Sequence, residues 1–210
     1  MSKLLYIQAS PRQERSHSRA VADAFVQAYR VAHPEDDVET VNLFEAELPA
    51  FEGLALEAKY KILHGQAHSD EEKRAWRRVE AVIEQFTSAD KYVLAVPMWN
   101  FAIPYRLKQY IDILVQPTYT FAFSPDEGYK GLVTGKPALV VYASGGDYSE
   151  GSGQEAYDMQ KPYVEAILRF IGFSTIRSLA VQPTLASDPQ VAADSQQAAI
   201  ARARVLATTF

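Results

Sequence analysis

Cysteine is absent from this chain of 210 residues, which excludes disulfide bridges, thiolate metal centres and a cysteine nucleophile. Long apolar runs are missing too. No segment approaches the roughly 18 uninterrupted apolar residues that a spanning helix needs, so no membrane partner is expected. Basic residues are in deficit, 21 Lys and Arg against 26 Asp and Glu, for a formal net charge of −5. That balance provides no electrostatic footprint for nucleic acid. The opening Met1-Ser2-Lys3-Leu4-Leu5-Tyr6-Ile7 lacks the apolar region and small-residue cleavage site of an export signal, and the expected location is the cytoplasm. Glycine is sparse, and none lies between Ser10 and Ser18.

What is present is alternation. Apolar runs alternate with helical-period segments, the pattern of βαβ units on a parallel sheet. Strands are expected at about Leu4 to Ala9, Asp37 to Leu43, Lys91 to Val96, Pro137 to Tyr142 and Ser174 to Val181. A helix starts near Ser16 or Ser18, both good N-caps, with Val21, Ala24, Phe25 and Ala28 as its inward stripe. Asn42-Leu43-Phe44 opens a long, poorly patterned connection through Pro49, Gly53 and Gly65. Ser69-Asp70-Glu71-Glu72 starts another helix, whose stripe of Trp76, Val79, Ile83 and Phe86 reads as core. Further helices are expected over Pro104 to Val115, over Gln154 to Ile171 at least in its second half, and over Pro189 to Ala207. Five strands alternating with five helices predict one domain over residues 1–210: an α/β, doubly wound parallel sheet of flavodoxin-like order 2-1-3-4-5 with helices on both faces. In that order the first and third strands meet at the topological switch point, where such sheets hold ligands.

Three loops converge there. The first is Ser10-Pro11-Arg12-Gln13-Glu14-Arg15-Ser16-His17-Ser18. Hydroxyls and the free N–H groups of a helix start can surround an anion. Without glycine the loop fits neither GxGxxG nor GxxxxGK[ST]; it suits a terminal monophosphate, as on a mononucleotide, better than a pyrophosphate. Arg12, Arg15 and Arg19 are expected as surface charges, and His17 as a backbone donor. The second loop is Pro97-Met98-Trp99-Asn100-Phe101, which sets a flat apolar surface and amide groups at the end of a buried strand and so implies a flat aromatic ligand. The third, Ala143-Ser144-Gly145-Gly146-Asp147, offers unusual φ values and close backbone approach to a ring. Each loop has an ordinary structural reading as well, as an N-cap, an aromatic strand cap or a turn. Elsewhere His64 and His68 stand four apart, but a zincin needs Glu after the first, and Gly65 weakens the helix that must align them; no metal site is expected.

Together these segments, with Leu107-Lys108, Asp112 and Gly131-Leu132-Val133-Thr134-Gly135-Lys136, resemble the FMN-dependent NADH-azoreductase family of flavodoxin-like quinone and azo reductases. The resemblance covers essentially the whole chain. It implies a homodimer with one FMN per subunit at the interface, the phosphate held by Ser10, Ser16, His17 and Ser18. It lays the flavin ring along Met98, Trp99, Asn100 and Phe101 and along Ser144, Gly145 and Gly146. Some members carry Ser-Arg-Gly-Gly in that last loop where this chain has Ala143-Ser144-Gly145-Gly146.

The implied activity is two-electron, ping-pong reduction of quinones and azo compounds by NADH or NADPH, with no protein general acid. Phe121, Phe123 and Tyr129 would wall the substrate space, from either subunit, unless they simply form the inner face of a β-hairpin. Two other classes stay open: a flavodoxin-type electron carrier, which would not oxidise NADH in steady state, and a non-enzymatic protein on the same fold, which would bind no flavin. An FAD-binding quinone reductase is the alternative within the enzymes.

Overall fold

The computed structural model describes every residue, Met1–Phe210. Strand β1 (Lys3–Gln8) leads through a single 3-10 turn into helix α1 (His17–Ala32), followed by β2 (Asp37–Asn42), α2 (Gly53–Leu63), α3 (Asp70–Thr87) and β3 (Lys91–Pro97). Helix α4 (Tyr105–Leu114), a hairpin of β4 (Phe121–Ser124) and β5 (Gly128–Gly131), β6 (Pro137–Ala143), α5 (Lys161–Ile171), β7 (Thr175–Val181) and α6 (Pro189–Ala207) complete the chain. The main sheet is parallel in the order β2-β1-β3-β6-β7, which is 2-1-3-4-5 when the hairpin strands are left out, as expected. Ile7 pairs with Leu94 and Leu94 with Val140, so the carboxyl ends of β1, β3 and β6 stand side by side.

Strand pleating sends alternate side chains to opposite faces, and the core divides accordingly. Leu5 and Ile7 join the cluster under α2, α3, α4 and α5, while Leu4 and Tyr6 join the one under α1 and α6. Central strand β3 is buried from Tyr92 through Val96, as its uninterrupted apolar run requires with helices on both faces. Helix α3 begins at a capping box: Glu72 N–H donates to Ser69 Oγ at 3.2 Å, and Ser69 N–H to Glu72 Oε2 at 2.7 Å. Its stripe of Trp76, Val79, Ile83 and Phe86 is buried.

Two elements depart from expectation. The poorly patterned connection contains α2, making six helices rather than five. Its inward residues are Ala55 and Ala58, and Leu54, Leu56, Tyr60, Ile62 and Leu63 are exposed, so the helix carries small residues inward and large ones outward and shows no recognisable apolar stripe. It ends at Leu63 ahead of Gly65, at φ +65°, and His64 and His68 therefore share no helical face. Pro104 is the N-cap of α4 rather than a first-turn residue. The aromatic excursion is the antiparallel hairpin β4–β5. It fits tightly against the end of α5: a Cβ at Gly131 would lie 2.3 Å from the Gly172 nitrogen.

Candidate functional site

The loop after β1 is an inward-facing group of hydroxyls. Ser10, Ser16 and Ser18 are all buried, at 1%, 4% and 0% exposure, although serine is a predominantly surface residue. Ser16 is the N-cap of α1, its Oγ accepting from Arg19 N–H at 3.4 Å, and it lies 3.3 Å from Ser18 Oγ. These are long contacts, so the hydroxyls keep most of their bonding capacity for something else. The His17 and Ser18 amides take no backbone acceptor, as first-turn N–H groups do not. No acidic residue occupies that turn, so the positive end of the helix is uncompensated. The His17 ring is turned away, its Nδ1 2.6 Å from Gln196 Oε1 of α6, which leaves its backbone to the loop. This donor set suits a phosphomonoester.

Arg12 and Arg15 are exposed, but Arg19 corrects the expectation of a surface charge. Its Nε and Nη1 are enclosed and without a partner. It borders a polar cavity of about 800 Å3 along the β2 edge, shared with Gln8, Asp23 and Asn42. Beneath it the Tyr6 hydroxyl donates to Asp23 Oδ1 at 2.7 Å, and burial followed by that carboxylate raises the phenol's pKa far above its usual value.

The loop after β3 is a two-residue turn. Trp99 and Ala102 exchange both backbone bonds, at 2.9 and 3.0 Å, and Asn100 and Phe101 between them sit at φ +48° and +69°. That is the signature of a type I′ turn, which ordinarily takes Asn-Gly. Phenylalanine in the left-handed region costs on the order of 1–3 kcal/mol and marks functional positions. The turn leaves the Asn100 and Phe101 N–H groups unbonded and exposes 48% of Phe101. Met98 N–H donates to Ala143 O at 2.7 Å, tying this turn to the end of β6. Trp99 packs against both Phe44 and Tyr105, with ring centroids 5.8 and 6.1 Å away, in a cluster in which those two rings also touch.

The third loop is braced from β7. Ser144 Oγ is 2.9 Å from Gly146 O and 3.1 Å from Gln182 Oε1, while Thr184 N–H donates to Ser144 O at 2.9 Å. Neither Gly145 nor Gly146 adopts a positive φ, contrary to the role expected of them. Their constraint is space: a Cβ at Gly145 would lie 2.9 Å from Leu185 Cδ1, and one at Gly146 3.2 Å from the Tyr148 ring.

The three loops therefore meet at the ends of β1, β3 and β6. The aromatic residues of the excursion do not join them within the chain. Phe121 and Tyr129 pack on Phe170 of α5, at 5.0 and 5.6 Å, with Phe123 beside Tyr129. A mainly apolar cleft of about 1220 Å3 is lined by Trp99 and Asn100 of this turn together with Ile103, Tyr105, Met159 and Tyr163.

Several supporting residues lacked any local sequence signal. Gln160 is 2% exposed and donates through Nε2 to Val96 O at 3.0 Å, satisfying a carbonyl at the end of β3 from 64 residues away. Met159 N–H donates to Phe101 O at 3.0 Å. Tyr148 and Tyr157 bring their rings to Phe101, at 6.4 and 5.4 Å.

Comparison with known proteins agrees with this geometry. A profile described as Flavodoxin-like fold matches residues 2–206. The chain is 51% identical over its full length to an FMN-dependent NADH:quinone oxidoreductase of Nitratidesulfovibrio vulgaris, covering 100% of each. It is 48% identical to a protein of the same description from Desulfotalea psychrophila, over 99% of this chain and 92% of that one. Among solved structures it resembles an azoreductase from Bacillus anthracis, with a TM-score of 0.91, 31% identity and full coverage of both chains. It also resembles an FMN-dependent NADH-azoreductase of that organism in complex with FMN, with a TM-score of 0.87, 30% identity and coverage of 99% and 100%. Matched from end to end by these relatives, this chain belongs to the flavodoxin-like fold family, among its FMN-dependent NADH:quinone oxidoreductases and azoreductases.

Proposed function

We propose that the protein is an FMN-dependent oxidoreductase that uses NADH or NADPH to reduce quinones and azo compounds. The observation that carries this reading is the placement of three buried serine hydroxyls beside a turn holding Asn100 and Phe101 at φ +48° and +69°. One suits a terminal phosphate and the other a planar ring. When bound, FMN supplies two-electron transfer from NAD(P)H to the acceptor in ping-pong order.

The chain's own part is to hold and orient. Ser10, Ser16 and Ser18 offer hydroxyls to the phosphate, helped by the His17 and Ser18 amides and the α1 dipole. Met98 and Trp99 from the end of β3, with Ser144, Gly145 and Gly146 from the end of β6, would hold the flavin ring. The unbonded N–H groups of Asn100 and Phe101 would serve as preorganised donors to negative charge on that ring. The cup takes one terminal phosphate, which favours FMN over FAD.

We propose further that this one domain, residues 1–210, works as a homodimer in the cytoplasm, where NADH is available. The exposure of Tyr105, Phe123 and Tyr129, at 65%, 60% and 67%, and the apolar cleft of about 1220 Å3 beside Trp99 support a second copy. In that dimer Phe121, Phe123 and Tyr129 line the acceptor's space from the other subunit. No helix is long and apolar enough to cross a membrane.

The test is a visible spectrum of the purified protein after FMN addition. Anaerobic NADH should bleach the flavin bands and benzoquinone should restore them, over many turnovers. Protein that takes up no flavin, or is bleached without reoxidation by quinones or azo dyes, refutes the reading.

A further inference from the structure

We propose that Tyr148 and Tyr157 form an aromatic wall on the open side of the site and select acceptors by their flatness; the inference rests on the reading of this site as a flavin-dependent quinone and azo reductase. Tyr148 bridges the two loops that flank the ring position. The tip of its ring lies 3.2 Å from where a Cβ of Gly146 would stand, and the ring meets Phe101 edge-on, with centroids 6.4 Å apart and planes at 85°. Tyr157 packs on Phe101 at a tilt, its ring centroid 5.4 Å away and the planes at 34°. A single segment delivers both tyrosines. It leaves β6 at Ala143 and returns through Met159, whose N–H donates to Phe101 O at 3.0 Å.

That segment is built to hold its shape. Asp147 Oδ1 accepts from the Ser149 amide and hydroxyl at 2.9 and 2.6 Å, one residue either side of Tyr148. Gly151 N–H donates to Glu155 Oε1, just before Tyr157. Gly151 and Gly153 turn the chain with φ of +86° and +76°, conformations that glycine takes without steric cost. Phe101 and Tyr157 are nevertheless far from buried, at 48% and 53% exposure, and Tyr148 is half-buried beside them. Apolar aromatic surface left open beside a ligand position offers it stacking and edge contacts. A molecule lying across the junction of Gly146 and Phe101 has Tyr148 as its neighbour. A thin ring fits along that surface, whereas out-of-plane substituents collide with it.

Tyr148 and Tyr157 are thus specificity residues rather than cofactor ligands, and the experiment separates the two roles. FMN-loaded protein is compared with Tyr148→Ala, Tyr148→Phe and Tyr157→Ala. The acceptors are menadione, which is flat, and a di-tert-butyl benzoquinone, which is not. The Ala variants should lower the menadione to di-tert-butyl ratio of kcat/KM by about tenfold, a loss of the order of one aromatic pair. Tyr148→Phe should keep the parent's ratio, because the ring and not the hydroxyl does the selecting. Binding of redox-inert naphthalene sulfonate, followed through the flavin's visible band, should weaken about as much in the Ala variants, with the FMN dissociation constant unchanged. An unchanged ratio in Ala variants that still load FMN and turn over overturns the wall and leaves the reductase reading standing. Loss of FMN affinity in Tyr148→Ala overturns it in favour of a cofactor-holding role. Parent protein that binds no FMN overturns both.

Discussion

Replacing Ser16 and Ser18 together by alanine tests the phosphate cup. Each hydroxyl that bonds a charged oxygen contributes roughly 1.5–3 kcal/mol. Taking the lower value twice, because Ser10 and the His17 and Ser18 amides remain, gives about 3 kcal/mol, or on the order of a 100-fold rise in the FMN dissociation constant. The fold should tolerate the change. Ser16 Oγ accepts from Arg19 N–H at a long 3.4 Å, so losing this N-cap should cost only about 0.5 kcal/mol, the low end for such caps. The hydroxyls lie 3.3 Å apart and are removed together, leaving neither stranded as a buried unsatisfied group. The assay is quenching of flavin fluorescence on titration of apoprotein, with FMN and riboflavin in parallel. Riboflavin lacks the phosphate and should change by less than about threefold, since it never made those bonds. Unchanged FMN affinity, or an equal loss for riboflavin, would refute the assignment.

The strained turn gives a second prediction: Asn100→Val, a β-branched residue at φ +48°, should lose about 1–2 kcal/mol in urea unfolding and bind FMN more weakly, whereas Asn100→Gly should fold normally. Gly131→Ala drives a methyl to 2.3–2.4 Å from the Gly172 and Ile171 backbone, where nothing flexible can yield. It should cost about 3 kcal/mol or more by the same measurement, and a variant as stable as the parent would contradict the packing of the hairpin on α5. Asp36 governs an acid-side effect. Hydrogen bonds from the Tyr29 hydroxyl at 2.5 Å and the Ser2 amide at 2.6 Å, with Lys91 3.5 Å away, lower its pKa from 3.8 to about 2. Because the folded value is the depressed one, the stabilisation is complete above pH 3.8 and is lost as pH falls toward 2. Melting temperatures across that window should fall more steeply for the parent than for Asp36→Asn.

Local chemistry was enough to place the parallel strands and to bring the start of α1 to Ser16 or Ser18, because pleat alternation, helical periodicity and N-capping act over a few residues at a time. The order of the sheet came from the alternation of strands and helices along the whole chain. The run Tyr92–Val96 shows burial on both faces directly, whereas the choice of Ser16 over Ser18 as the cap belongs to the structure. The unglycinated loop and the Trp-Asn-Phe segment likewise suggested a phosphate and a flat ring before any coordinates. Tertiary structure decided what depends on partners far along the chain. Helix α2 was hidden because its inward residues are alanines, whose role appears only where α3 packs on them. Gly145 and Gly146 were expected to supply unusual backbone angles, yet Leu185 and Tyr148 occupy the space where side chains would stand. Arg19 reads as one more surface charge until its guanidinium is found enclosed between α1 and the β2 edge. Nor does any spacing connect Phe101 with Tyr148 and Tyr157. Helix α4, the hairpin and β6 lie between them and must first bring them together at the sheet's carboxyl edge, and only that juxtaposition turns three ordinary aromatics into one surface.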